Sequence, residues 1–354
     1  MTKANHDLAI AGRKIGPAHP PYLVAEMSAN HRGSLDHALA VIEAAAKAGA
    51  DAIKLQTYTA DTITIDCNMP DFLIKGGLWN GRTLYDLYRE AHTPWEWHRE
   101  LFAKGREVGI TMFSSPFDET AVDFLEELDV PAYKVASFEM LHLPLLRKIA
   151  STGKPVIVST GMASHAEIEE SVGTLRAAGC RELVVLHCTS GYPTPPNEAN
   201  VRMIPHLAQV FDVPVGLSDH TLDSSAAVAA VALGAVVIEK HFTLRRADGG
   251  PDAAFSLEPS EFGDFVTAAR TAWAALGEVG DVRAPSEQAN LAFRRSIYAV
   301  EDIPKGSRIT SKSVRIIRPG FGLAPRHYDE VIGRCARADI VRGTPISWAL
   351  IEQV

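Results

Sequence analysis

Residues 215–244 read VGLSDHTLDSSAAVAAVALGAVVIEKHFTL, and the fold turns on them. An apolar run enters Ser218-Asp219-His220, and an Ala/Val-rich segment of helical length follows. A second run, Ala235-Val236-Val237-Ile238, then enters Glu239-Lys240-His241. Strand, helix, strand is a parallel βαβ unit, and its crossover brings both strand ends to the same face of the sheet. His220 and His241 thus stand at the carboxyl ends of successive parallel strands, placed to converge on one point. Neutral imidazole is the commonest side-chain ligand for a divalent transition metal. Two satisfied histidines at a sheet rim are the plainer alternative.

Working outward, the same alternation runs from Pro21 onward. Strand-like runs at 22–28, 51–57, 110–115, 132–137, 155–159 and 183–187 are separated by helical stretches at 34–48, 97–108, 118–128, 143–151 and 165–178. With the two strands of the opening unit and a last helix at 259–276, the count reaches eight. Eight βα units over about 250 residues predict a closed (β/α)8 TIM barrel. An open doubly wound sheet usually carries a G-x-G-x-x-G turn after its first strand, and none is present. Past residue 277 the periodicity stops: 278–292 reads as a linker, and 293–354 as a small β-rich domain of short strands at 296–300, 308–309, 314–318 and 340–341.

Composition narrows the classes further. The 354 residues are 46% hydrophobic and 22% charged, with a formal net charge of −8 and no basic run, which argues against nucleic-acid binding. No apolar run is long enough to span a bilayer, and the opening residues lack the continuous apolar core of a secretory signal. Cys67, Cys180, Cys188 and Cys335 show no C-x-x-C spacing, so neither a disulfide framework nor a zinc knuckle is expected. A reduced cytoplasm is the expected setting.

Side chains at the carboxyl ends of barrel strands line the active-site mouth. Read in order, those ends give Glu26 with Asn30 and His31; Lys54 and Gln56; Ser114 and Ser115; Lys134, Ser137 and Glu139; Ser159-Thr160-Gly161; His187-Cys188-Thr189-Ser190; then Ser218-Asp219-His220 and Glu239-Lys240-His241. Lysines among hydroxyls suit a small anion bearing phosphate and carboxylate. Two histidines beside carboxylates suit a divalent metal with positions open to water or substrate. Any one serine can instead cap the next helix, but polar ends on all eight strands point to an enzyme. Asp252, in the Gly-Gly-Pro loop after the last strand, can bind a polyhydroxylated substrate or act as a base. The insert at 58–95 carries Trp79, Tyr85, Tyr88 and Trp95, with Trp97 just beyond, and reads either as a packed side cap or as a lid against which a sugar stacks.

Taken together, AEMSANHRG, DAIKLQTYTADT, FSSPFD, YKVASFE, STGMA, HCTSGYPTP, GLSDHT, VIEKHF and GGPDAAFS resemble the phosphoenolpyruvate-condensing sialic acid synthases. The likeness runs from about Tyr22 to Val354, and RRSIYA and RPGFGL resemble the SAF (antifreeze-like) domain of those enzymes. KLQTYT, LYDLY, TPWEW and FSSPFD are most similar to the pseudaminic acid synthase branch; Ser190 stands where N-acetylneuraminate synthases carry Asn. The resemblance implies condensation of phosphoenolpyruvate with 2,4-diacetamido-2,4,6-trideoxy-L-altrose. It implies a divalent metal (Mn²⁺, Co²⁺ or Mg²⁺) on His220 and His241, and Lys54, Ser115, Lys134, Ser137, Ser159, Ser190 and Ser218 around phosphoenolpyruvate. Gln56, Glu139, Tyr192 and Asp252 would face the sugar, with Glu26, Lys54, Lys134 and Glu239 catalytic. It also implies a homodimer in which the small domain reaches the partner's barrel, bringing Arg318 and the wall residue Phe293 to its sugar pocket. The alternatives are an N-acetylneuraminate or legionaminate synthase and, in a different class, a carbohydrate-binding protein without catalysis.

Overall fold

The apolar runs from Tyr22 onward form eight parallel strands closed into a barrel, each paired with the next in sequence and the last with the first. The structure is a computed structural model that describes residues 7–352; residues 1–6, the start of the stretch read for a leader, and 353–354 lie outside the described residues. Two units separate between Gly277 and Glu278. The first opens with an antiparallel hairpin, β1 (Leu8–Ile10) and β2 (Arg13–Ile15). The barrel follows: β3 (Tyr22–Glu26), β4 (Ala52–Thr57), β5 (Thr111–Pro116), β6 (Tyr133–Val135), β7 (Val156–Ser159), β8 (Leu183–Cys188), β9 (Val215–Asp219) and β10 (Val237–His241).

Around it run α1 (Leu35–Lys47), α2 (Ala60–Ile63), α3 (Leu84–Ala91), α4 (His98–Val108), α5 (Glu119–Glu127), α6 (Leu143–Ala150), α7 (His165–Ala177), α8 (Met203–Phe211), α9 (Ser225–Ala232) and α10 (Pro259–Leu276). Ser34, Asp118 and Ser164 start α1, α5 and α7 by accepting hydrogen bonds from first-turn N–H groups that have no intrahelical partner. Helices α2 and α3 belong to the insert after β4.

Because successive strand residues face opposite sides, the pleat sorts the sequence into two cores. Leu23, Ala25, Ile53, Leu55, Val156, Val158 and Val185 point outward and pack with helix residues such as Val41, Leu125 and Leu175. Their neighbours Tyr22, Val24, Ala52, Phe113, Ile157, Val184 and Val237 point inward and fill the lower barrel together with Leu8, Ile10 and Ile15 of the hairpin. The hairpin therefore plugs the amino-terminal end, a feature the sequence pattern did not suggest because its strands are only three residues long. At Gly216 on β9 a Cβ would run into the Val237 carbonyl oxygen and the Leu186 side chain, so only glycine allows that approach.

In the second unit β11 (Ser296–Ala299) pairs antiparallel with β12 (Val314–Ile317). The runs at 308–309 and 340–341 contribute isolated bridges, Arg308 to Cys335 and Ile303 to Ile340, rather than full strands. Ile297, Ile303, Ile309, Val314, Ile340 and Ile346 form its own core. Among the described residues no helix is long and apolar enough to cross a membrane.

Candidate active site

Above the apolar layers, the inward-facing positions turn polar. A cavity of about 540 Å³ opens there, lined by Glu26 from β3, Lys54 and Gln56 from β4, Lys134 from β6, Ser159 from β7, Ser218 and His220 from β9 and its end, and Glu239 and His241 from β10. The two-residue spacing within each strand is what sends both members of a pair inward. The intervening Asp219 and Lys240 fall outside this lining: Lys240 Nζ donates to Asp219 Oδ2 at 2.8 Å and to the carbonyls of Thr221 and Asp223 at 2.7 and 3.1 Å. Asn30 and His31 are likewise structural, Asn30 donating to the Phe242 carbonyl and Ser256, and His31 lying against Trp97 near the Ala91 carbonyl.

The floor is a charge cluster. Lys54 Nζ lies 3.1 Å from Glu26 Oε2 and 3.2 Å from Glu239 Oε1, and Lys134 Nζ lies 3.5 Å from that same Glu239 oxygen. Burial opposes ionisation of Glu239, yet Lys134 and Lys54 hold its carboxyl down to about 2. Burial pushes Glu26 the other way, up to about 7, although Lys54 pulls against it. Lys54 is kept above its ordinary value by Glu239 and Glu26 in spite of burial, whereas burial leaves Lys134 below its own. Two carboxyls a few ångströms from one ammonium are thus driven apart, one fixed as an anion and one poised to exchange a proton near neutrality.

Beside the lysines is a cradle of hydroxyls. Ser159 Oγ is buried with no partner, and Ser137 Oγ accepts from the Gly161 N–H at 3.2 Å. A Cβ at Gly161 would run into the hydroxyls of Ser137 and Ser190, so these serines close around bare backbone. Such clusters of N–H and O–H donors suit anionic oxygens. Ser218 donates to Glu239 at 3.3 Å; Ser115 sits behind Lys54 and accepts from its ammonium at 3.4 Å.

His220 and His241 converge, with ring centroids 5.4 Å apart. Nδ1 of His220 lies 3.0 Å from the Thr189 carbonyl; donating there leaves Nε2 as the nitrogen with a lone pair. Nδ1 of His241 is buried without a partner. Burial, then His220, Lys54 and Lys134, hold the His241 imidazole well below its ordinary value, so it is neutral. An orphaned neutral nitrogen beside a second oriented ring fits a divalent transition metal. Among the described residues no third His, Cys, Asp or Glu completes a cluster with them.

Toward the mouth, Gln56 Nε2 donates to Glu26 Oε1 at 2.9 Å and to Ser28 Oγ at 3.0 Å, and Ser28 in turn donates to Asp252. Glu139 presents an unpartnered buried Oε2, and burial raises its carboxyl to about 7. The Tyr192 ring packs at a tilt against His220 and Phe255, with ring centroids 4.5 and 5.1 Å away. The insert divides between its two readings. Trp95 stacks on Phe124 and Trp97 packs against His31, as a side cap, while Trp79 and Tyr88 line the cavity. Trp79 Nε1 donates to the Pro251 carbonyl at 3.0 Å, fastening the insert to the loop after β10.

Sequence reasoning missed Ser28, Phe255 and the insert residues Ile63, Ile74, Leu84 and Leu87, all of which line the cavity. Ser28 stands two residues past Glu26, so the strand alternation would have sent it inward. Phe293 and Arg318 belong to the second unit, where Phe293 is 62% exposed and Arg318 is exposed with no ion pair among the described residues.

Residues 41–281 match the NeuB family and residues 294–352 the SAF domain. The chain is 47% identical to the pseudaminic acid synthase of Campylobacter jejuni, over 91% of this chain and 94% of that protein. It is 39% identical to the pseudaminic acid synthase of Helicobacter pylori, over 94% and 98% of the two chains. Among solved structures, N-acetylneuraminic acid synthetase from Leptospira borgpetersenii, in complex with citrate, superposes with a TM-score of 0.73 at 30% identity, covering 82% of this chain and 97% of that one. Barrel, polar mouth and relatives agree, and the chain is a member of the NeuB family.

Proposed function

We propose that the chain condenses phosphoenolpyruvate with 2,4-diacetamido-2,4,6-trideoxy-L-altrose and water, giving pseudaminic acid and inorganic phosphate. The observation that carries this reading is the cavity floor, where Lys54 and Lys134 meet Glu239 beside the His220–His241 pair. An anion and an aldehyde have to be held together in this reaction, and cations, hydroxyls and metal-binding nitrogens meet at that floor. The Campylobacter and Helicobacter relatives support the altrose derivative over N-acetylneuraminate- or legionaminate-type substrates.

In this reading Lys54 and Lys134 receive the phosphate and carboxylate of phosphoenolpyruvate, with Ser137, Ser159, Ser190 and Ser218 supplying hydroxyls and Ser115 holding the Lys54 ammonium from behind. Gln56, Glu139, Tyr192 and Asp252 face the open-chain sugar. His220 and His241 hold a divalent metal, Mn²⁺ in our reading, which when bound supplies a Lewis acid for the sugar aldehyde. C3 of phosphoenolpyruvate bonds to the aldehyde carbon with the electrons of its C2=C3 double bond, which leaves C2 cationic, and the aldehyde oxygen takes a proton from solvent. Water then adds at C2 and gives its proton to Glu26, whose Oε1 is fixed by Gln56. The C2–O bond to phosphate breaks as the new C2 hydroxyl becomes the keto group, and phosphate departs beside Lys54 and Lys134 with the bonding electrons and that hydroxyl's proton. We further infer a homodimer in which Arg318 and Phe293 serve the partner's sugar pocket; their exposure within the second unit supports this.

The test is phosphate release from phosphoenolpyruvate with three sugars: the altrose derivative, N-acetylmannosamine and the legionaminate precursor. Release with the altrose derivative alone is the expected result. Release only with another sugar keeps the chemistry and overturns the substrate; release with none overturns the reading.

A further inference from the structure

The insert after β4 contributes a different chemistry from the strand ends. On α3, Leu84, Leu87, Tyr88 and Ala91 recur at the helical spacing of one face, and all four line the cavity, joined by Ile63 and Ile74. Five of these six side chains have no hydrogen-bonding group. Nor does Trp79 add a free donor, because its N–H is spent on Pro251. Ile63, Ile74 and Leu84 are only half-buried, so they keep apolar surface for something else to cover. The cavity therefore has a charged floor made by the barrel and an apolar wall made by the insert.

The reacting aldehyde, C1, has to reach the floor, so an open-chain sugar extends its C4–C6 end away from it, toward the mouth. In the proposed substrate that end bears an acetamide methyl at C4 and a methyl group at C6. In N-acetylmannosamine the same positions carry hydroxyls. A hydroxyl pressed on an apolar wall loses its water without gaining a partner, while a methyl gains burial. Resting on the proposed pseudaminic acid chemistry, we propose that the wall formed by Ile63, Ile74, Leu84, Leu87 and Ala91 selects the 6-deoxy sugar, by covering its C6 methyl. These are specificity-determining residues that touch no reacting atom.

The test compares kcat/KM for 2,4-diacetamido-2,4,6-trideoxy-L-altrose with that for its 6-hydroxy analogue, two sugars differing by one oxygen. The wild-type protein is expected to prefer the deoxy sugar by roughly 10- to 100-fold, the range an apolar pocket achieves against an added hydroxyl. Leu84→Gln and Ile74→Thr each give the wall a polar group and are expected to reduce that preference at least fivefold, with the KM for phosphoenolpyruvate unchanged. Leu84→Met, apolar and of similar volume, keeps it. The backbone bonds of Ile74 with Arg82 and Gly81 do not involve its side chain, and the unchanged KM reports an intact floor. An equal preference in wild type and both polar variants, or a parallel loss on both sugars, would overturn the proposal. Wild-type release with N-acetylmannosamine and neither altrose would instead overturn the substrate reading, before any variant is made.

Discussion

Glu139 lines the mouth of the barrel with Oε2 buried and without a partner, and burial raises its carboxyl to about 7. A carboxyl raised in the folded state favours the protonated protein. Its contribution to stability is therefore fully present below the ordinary value near 4.5 and is lost as pH rises through about 7. Glu139→Gln should flatten that dependence: in the absence of ligand, the variant's melting temperature should gain on the wild type's between pH 4.5 and 7. Parallel curves across that window would show that Glu139 is not so perturbed. The sequence placed Glu139 at a strand end but gave no sign of its isolation, since the surroundings of that oxygen are set by distant segments: Tyr58 and Tyr88 of the insert line the same cavity. The lysines and histidines were legible because strand ends in a barrel share one face. Ser28 lay within the run 22–28 and in step with Glu26, but it was passed over as a plain strand residue; its backbone turns left-handed (φ 44°) just past the strand's end at Glu26.

At the level of elements, β9 and β10 each contribute alternate residues to different tasks. Ser218, His220, Glu239 and His241 face the cavity, and Asp219 and Lys240 form a buried pair behind it. A list of polar strand ends runs these together, while the two-residue period separates them. Lys240 also gathers the Thr221 and Asp223 carbonyls, so it anchors the turn that follows His220. Lys240→Met would leave Asp219 buried and unpaired, which costs about 3–5 kcal/mol. A lowered midpoint in denaturant unfolding would record this, and a midpoint within error of wild type would contradict it. The insert is the element least legible beforehand. Its aromatic residues suggested either a cap or a lid; Trp95 and Trp97 find partners on α5 and the β3–α1 loop, as in a cap, while the α3 stripe turns to the cavity. The hairpin β1–β2 was invisible because two three-residue strands carry no periodic signal.

At the scale of the whole molecule, the eight βα units were legible from period and count, and the small domain from the loss of both. What crosses between subunits is a matter of proposal, and it has a direct test. If Arg318 serves the partner's barrel, co-expressed Arg318→Ala and Glu26→Gln chains should complement one another, each dimer of mixed type regaining one intact site. Roughly a quarter of wild-type activity is then expected from random pairing in a symmetric dimer. Mixtures no more active than the separate variants would confine Arg318 to its own subunit. On the proposed function, the floor of the barrel is a metal-assisted phosphoenolpyruvate-condensing site built on His220 and His241. It is tested most directly by measuring phosphate release from phosphoenolpyruvate and the altrose derivative after EDTA treatment, and again after Mn²⁺ is restored. Release should stop on chelation and return with Mn²⁺ in the wild type but not in His220→Ala; release that continues undiminished in EDTA would rule out a metal-assisted site.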